Sequence, residues 1–334
     1  MEILSKPRER IQVDPLISGL RYDWAIALLS LWMIGGVYLD AWAHHKFPIE
    51  TFFTPWHAVL YSGFLAVAVL LSVTFVRNLA RGYAWREAMP AGYSLSLVGA
   101  GVFLAGGVGD MLWHMLFGIE VNLEALLSPT HLLLAVGASL IGLGPLRATL
   151  NRPGSRSPGL PALISLTLLL AVLAFFTAYA HPLIEATGGE HSGSDRALTI
   201  AGVLLQTGLF MGVVLFALQR WELPFGSLTL IFTLSTVMAV GIHENFEMLP
   251  VGILSGLAAD FLQVQLKPSI GNPGAVRWFA FSVPVIFYTL YFATRAITGS
   301  LDWAVHLWAG SILLAGIAGL LLSYAYVPRL EDEK

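Results

Sequence analysis

The stretch D-A-W-A-H-H-K-F-P-I-E-T-F-F-T-P-W-H, residues 40–57, lies between two long apolar runs, about 22–43 and 55–76. Each run is near the twenty residues a helix needs to cross a hydrocarbon core of about 30 Å. The stretch therefore reads as the turn of a membrane hairpin, with its ionisable residues at the helix ends. Asp40 and His44 are four residues apart, so on a helix they share one face. His57 opens the next run, and a short turn folds it back beside them. One carboxylate and two imidazoles make a metal-ligand set in type and number.

The pattern occurs a second time. Residues 110–131 read D-M-L-W-H-M-L-F-G-I-E-V-N-L-E-A-L-L-S-P-T-H. Asp110, His114 and Glu120 match Asp40, His44 and Glu50 without gaps. After a four-residue insertion, Ser128-Pro129-Thr130-His131 matches Thr54-Pro55-Trp56-His57. Gly36 and Gly106 each precede the aspartate by four residues. This is an internal helical-hairpin repeat of about 70 residues, with copies at about 22–76 and 90–147, that keeps its ionisable residues in register.

Composition agrees with a membrane location. Of 334 residues, 56% are hydrophobic and only 12% charged, against about 25% charged in soluble domains. Mean hydropathy is +0.73. No basic tract suits nucleic acid. The absence of cysteine excludes disulfides, thiolate metal sites and thiol catalysis. The expected fold is all-α: a polytopic integral membrane bundle of about ten transmembrane helices. The expected spans are about 22–43, 55–76, 90–113, 129–147, 159–182, 197–219, 226–243, 250–266, 275–295 and 303–327. The eighth is short and carries Asp260, so it is expected to be broken or half-spanning. Residues 1–21 and 328–334 read as cytoplasmic tails, with 22–327 a single transmembrane domain. The polar N-terminal residues lack the apolar core of a cleaved leader.

Basic residues set the expected topology. Fifteen of the 18 lysines and arginines fall on the side of the two termini; only Lys46, Arg196 and Arg295 fall opposite. The positive-inside rule then places both termini in the cytoplasm of a cell with the chain in its plasma (inner) membrane. All nine histidines fall on the outer side in this count.

The primary candidate ligands are Asp40, His44 and His57, with Asp110, His114 and His131. Glu50 and Glu120 are candidates to bridge, orient or ligate. H-E-N-F-E at 243–247 places His243 and Glu247 four apart, a possible third pair facing the first two. It lacks the second histidine of H-E-x-x-H zinc proteases. His306 opens the last span with Asp302 one turn before it, as a degenerate further copy. His181 and His191 read as solvated loop residues, and His45 as a surface or supporting residue. Gly99, Gly101, Gly106, Gly107 and Gly109 read as a close-packing face.

The D-x3-H-x12-H spacing of Asp40, His44 and His57 resembles the copper-ligand motif in the membrane C subunit of particulate methane and ammonia monooxygenases. The resemblance covers three residues in a stretch of eighteen. The second copy departs from it, because His131 follows His114 by 17 residues rather than 13. It implies a copper site drawn from transmembrane helix ends and does not imply methane or ammonia as substrate.

The expected function is a membrane metalloprotein with an outward-facing Asp/His/Glu site. It would bind copper first, iron or zinc as alternatives, and act as an oxidoreductase on a small or lipophilic substrate. Its partners would be the lipid bilayer and a partner subunit or redox partner. One alternative is a metal transporter or delivery protein, which needs polar groups continuing through the bilayer; Gln206, Thr207 and Asp260 are the candidates. Another is a structural or pH-sensing subunit that holds no metal.

Overall fold

The computed structural model describes residues 17–47, 51–118, 122–184 and 193–326. Among them the chain is helical: α1 Leu20–Lys46, α2 Pro55–Ala80, α3 Ser94–Phe117, α4 Asn122–Leu127, α5 Pro129–Gly142, α6 Gly144–Leu150, α7 Gly159–Phe176, α8 Gly193–Arg220, α9 Ser227–His243, α10 Leu249–Leu266, α11 Pro273–Ile297 and α12 Val305–Tyr326. Both expected tails lie almost wholly outside the described residues.

Eight helices are long and apolar enough to cross a membrane, and nine if α5 and α6 count as one span bent by 42°. The break falls at G-L-G-P, residues 142–145, where Pro145 lies in the first turn of α6 and cannot donate to the helix before it. The other short element is α9. Its 17 residues rise about 25 Å at 1.5 Å per residue, less than the hydrocarbon core.

The eighth expected span is continuous, contrary to the break expected at Asp260. That carboxylate is spent on the neighbouring helix. Asp260 Oδ1 accepts from the Leu228 amide at 3.1 Å. Its Oδ2 accepts from the Thr229 amide at 2.9 Å and the Thr229 hydroxyl at 2.6 Å. These amides belong to the first turn of α9, which has no intrahelical acceptor for them.

The outer faces of several helices are apolar. Leu65, Val69, Val73 and Val76 form an exposed stripe on α2, and Leu104, Val108 and Leu112 one on α3. Spacing of three and four residues puts each set on a single helical face. Water does not favour so much apolar surface, and lipid does, so these faces point to lipid contact. By contrast α7 is 67% buried and α12 22%, which makes α7 a core helix.

Helix α1 contacts α2, α5, α6, α7 and α9. At its N-terminal end the buried Asp23 accepts from Tyr93 at 2.6 Å and pairs with Arg152. Asp40 lies 17 residues further on, about 25 Å along the helix. The ends of α1 thus carry different chemistry.

The α1–α2 and α3–α5 pairs are built alike. A Cβ on Gly36 would stand 2.6 Å from Leu60 Cα, and one on Gly106 3.0 Å from the Leu134 amide nitrogen. Leu60 and Leu134 each follow their histidine, His57 or His131, by three residues. A Cβ on Gly63 would stand 2.7 Å from the Met33 nitrogen, and one on Gly137 2.6 Å from the Phe103 nitrogen. Met33 and Phe103 each precede their aspartate by seven. Four equivalent positions thus bring backbones together at matching heights. The four-residue insertion of the second stretch falls beside α4, between α3 and α5.

Candidate metal centre

Each triad is assembled by two local devices. The first is the helical turn that places Asp40 under His44, and Asp110 under His114. The second is an N-cap. Thr54 Oγ1 accepts from the His57 amide at 3.1 Å, and Ser128 Oγ from the His131 amide at 3.3 Å. A proline follows each cap in the first helical turn, where its missing N–H costs nothing. T-P-W-H and S-P-T-H therefore start a helix with histidine in its first turn.

The capped histidine meets the aspartate of the preceding helix. In the first triad Asp40 Oδ2 lies 3.5 Å from His44 Nε2 and 3.3 Å from His57 Nε2. In the second, Asp110 Oδ1 lies 3.5 Å from His114 Nε2 and 3.4 Å from His131 Nε2. The paired rings are also arranged alike. His44 and His57 centroids are 5.9 Å apart at 68°, and His114 and His131 centroids 5.7 Å apart at 62°. In each triad the three ligand atoms lie within 4.8 Å of one another. Both groups can hold a metal ion.

The donor chemistry fits an ion. His57 Nδ1 is 2.6 Å from the Phe52 carbonyl oxygen, and His114 Nδ1 is 3.1 Å from that of Gly118. A carbonyl only accepts, so Nδ1 carries the proton and a neutral ring turns its Nε2 lone pair toward the carboxylate. Two electron-rich atoms then face each other, a contact relieved either by a second proton on Nε2 or by a metal ion between them. A charge-assisted N–H···O⁻ bond would close to about 2.7–2.9 Å. Ligand atoms on an ion with bonds of about 2.1 Å stand about 3.0–3.4 Å apart, close to the spacing seen here. Asp40 Oδ1 is moreover buried with no hydrogen-bond partner, leaving a second carboxylate oxygen open to an ion. In the other triad the Thr130 hydroxyl donates to Asp110 Oδ1 at 3.0 Å, which orients that carboxylate.

Two rings that sequence reasoning passed over lie between the triads. Phe52 stacks on His57 at 4.8 Å and lies 6.4 Å from His114. Tyr61 is 5.8 Å from Phe52 and 6.2 Å from His57. Its hydroxyl stands 3.0 Å from where a Gly107 Cβ would be, one turn from Asp110. Tyr61 follows His57 by four residues, a helical spacing that could have flagged it. Phe52 carries no such signal.

No family model, curated protein or solved structure matches this chain. The likeness to the monooxygenase C subunits thus rests on Asp40, His44 and His57 alone.

The remaining candidates are placed differently. Glu50, Glu120 and His191 lie outside the described residues. His243 ends α9, and Glu244 takes a left-handed conformation, φ 58°. The helix stops there, so Glu247 does not share a face with His243 and is exposed beyond the turn. His243 joins neither triad; its ring pairs with His45 at 4.3 Å. Glu244 instead accepts from Trp42 Nε1 at 2.8 Å and Lys46 Nζ at 2.7 Å. These two bonds, Lys46 first, hold its carboxyl below the usual range. His306 is exposed, and Asp302 pairs with Arg196 at 3.5 Å. His181, expected in solvent, is buried, and its Nδ1 accepts from the Leu183 amide at 3.2 Å. Burial pushes its pKa down to about 4.

Proposed function

We infer that this chain is a membrane metalloprotein in which two copies of one Asp/His/His unit bind transition-metal ions. One observation carries the reading: both triads set a carboxylate oxygen 3.3–3.5 Å from two Nε2 atoms. Nitrogen and carboxylate donors suit copper first, with iron and zinc as alternatives. The matched glycine contacts of the two hairpins support their descent from one repeat. The histidine-bearing ends belong to the outer face of a plasma (inner) membrane if the distribution of basic residues governs insertion.

Copper or iron at these positions would supply one-electron oxidative chemistry. The chain's own residues prepare the surroundings. Phe52 and Tyr61 fill the space between the triads and exclude water there. The Phe52 and Gly118 carbonyls fix the tautomers of His57 and His114, and Thr130 holds the Asp110 carboxylate. Leu116, Phe117 and Phe53 expose apolar surface near the same ends, which suits a small lipophilic substrate arriving from lipid. The function proposed is therefore an oxidoreductase acting on such a substrate, with electrons from a redox partner.

Transport is less well supported. Asp260 caps α9, Gln206 donates to Thr177 at 2.8 Å, and Thr207 donates to its own helix at Val203. All three candidate path residues are engaged in holding the fold. Oxygen uptake by the purified, metal-loaded protein with a graded series of lipophilic alcohols, alkanes and quinols tests the oxidative reading. Uptake that falls in both His44→Ala and His114→Ala is expected. Metal flux in vesicles without oxygen uptake would transfer the site to transport.

A further inference from the structure

A second pair of imidazoles lies beside the first triad and belongs to neither. His45 is exposed in the last turn of α1, next to the triad residue His44, and His243 is half-buried at the end of α9. Their ring centroids are 4.3 Å apart and the planes 39° from parallel. Nothing in the expected ligand pattern demands that these two elements meet.

The pairing is braced on both sides. Glu244, the residue after His243, receives Trp42 and Lys46 of α1 at 2.8 and 2.7 Å. Two hydrogen bonds thus pin the last turn of α1 to the end of α9, on either side of His45 in sequence. The left-handed backbone of Glu244, uncommon for a residue with a side chain, sets its carboxylate at that junction. On the other side His243 Nδ1 is 2.9 Å from the Ile184 carbonyl. Asn245 Nδ2 holds that carbonyl at 3.0 Å and the Leu183 carbonyl at 3.1 Å.

The Ile184 carbonyl has the same consequence as those of Phe52 and Gly118 at the triads. It accepts the hydrogen bond from Nδ1–H and leaves Nε2 of a neutral His243 with its lone pair. The Lys46 charge, which would oppose a cation here, is paired with Glu244.

We propose that His45 and His243 form an accessory binding site for a divalent first-row transition ion, which captures the ion from water and hands it to the adjacent triad. The proposal rests on the triads being metal sites. Two imidazoles, with water in the remaining positions, make a weaker and more open site than a carboxylate with two imidazoles. His45 is exposed, whereas His44 of the adjacent triad is half-buried and His57 buried, so the pair is the more open of the two to an ion from the aqueous phase. His44 follows one residue away on the same helix. Transfer is ligand exchange: the ion leaves His45 and His243, gains Asp40, His44 and His57, and keeps its oxidation state.

Zinc(II) titration of the chelator-stripped, full-length protein in detergent tests this, with a chromophoric chelator competing for the ion. Wild type is expected to bind three ions, one more weakly than the others. His45→Gln, an exposed change, is expected to bind two and to load the first triad several-fold more slowly at limiting zinc. His44→Ala/His114→Ala is expected to keep one weak ion, lost when His45→Gln is added. Unchanged stoichiometry and loading rate in His45→Gln would overturn the proposal. So would a weak ion that survives in the triple variant. Equal binding by wild type and His44→Ala/His114→Ala would instead remove the metal reading of the triads, a separate result.

Discussion

Asp40 Oδ2 lies 3.3 Å from His57 Nε2, although 17 residues and a helical hairpin separate them in sequence. The contact depends on how closely α1 and α2 approach, and that is set where Gly36 meets Leu60. A methyl group on Gly36 would come within 2.6 Å of a backbone atom. A backbone cannot swing aside as a side chain can, so the hairpin must open.

Gly36→Ala should therefore remove metal from the first triad and leave the second loaded. Overpacking of this kind costs about 1–3 kcal/mol. Gly35→Ala is the control, because a Cβ there meets nothing within 4 Å. Metal content and thermal melting of both variants check the prediction.

The second triad should respond to its orienting hydroxyl. Thr130→Val keeps the shape and removes the donor to Asp110 Oδ1. A roughly 10–100-fold loss of affinity at that triad is expected, as for supporting residues elsewhere. The first triad, where Trp56 holds the corresponding position, should be unaffected. Competition titration separates the two.

Asp260→Ala should destabilise the chain without altering bound metal. The change frees two first-turn amides and a hydroxyl of α9, and loss of such a cap costs about 1–2 kcal/mol. A fall in melting temperature with unchanged metal content is expected. Loss of metal would return Asp260 to an ion path.

Acid should weaken the fold partly through His181. Burial lowers its folded pKa to about 4, while the unfolded chain titrates near 6.5. The native state thus binds fewer protons than the unfolded state between these values. Stability is full above about pH 6.5 and falls as pH drops toward 4, by about 3 kcal/mol at most. His181→Leu should flatten that part of a melting-temperature profile taken against pH. A profile as steep as wild type would mean that His181 is not held neutral.

Some of this was legible in the sequence for identifiable reasons. Helical periodicity turns a four-residue spacing into contact, so Asp40–His44 and Asp110–His114 followed directly. His57 and His131 were readable as helix openers because each stands at the start of an apolar run; the Thr54 and Ser128 caps that place them there came only with the structure. The expected span 129–147 ran through the Gly-Pro step at 144–145 because the residues around it are apolar, so the break between α5 and α6 was missed. Other features depend on contacts between distant elements. Phe52 reaches both triads only because the hairpins pack side by side. Asp260 caps a helix that begins 33 residues earlier. The left-handed Glu244 that parts His243 from Glu247 leaves no mark in H-E-N-F-E, and the pair His243 forms with His45 spans nearly 200 residues.

The most direct measurement is metal content by mass spectrometry on detergent-purified protein, with no metal added after lysis. Wild type would be analysed beside His44→Ala and His114→Ala. Two tightly held copper or iron ions per chain are expected in wild type, with one lost in each variant. Wild type free of transition metal, with variants that are only less stable, would contradict the metal reading. The triads would then be imidazolium–carboxylate networks that hold the hairpins together.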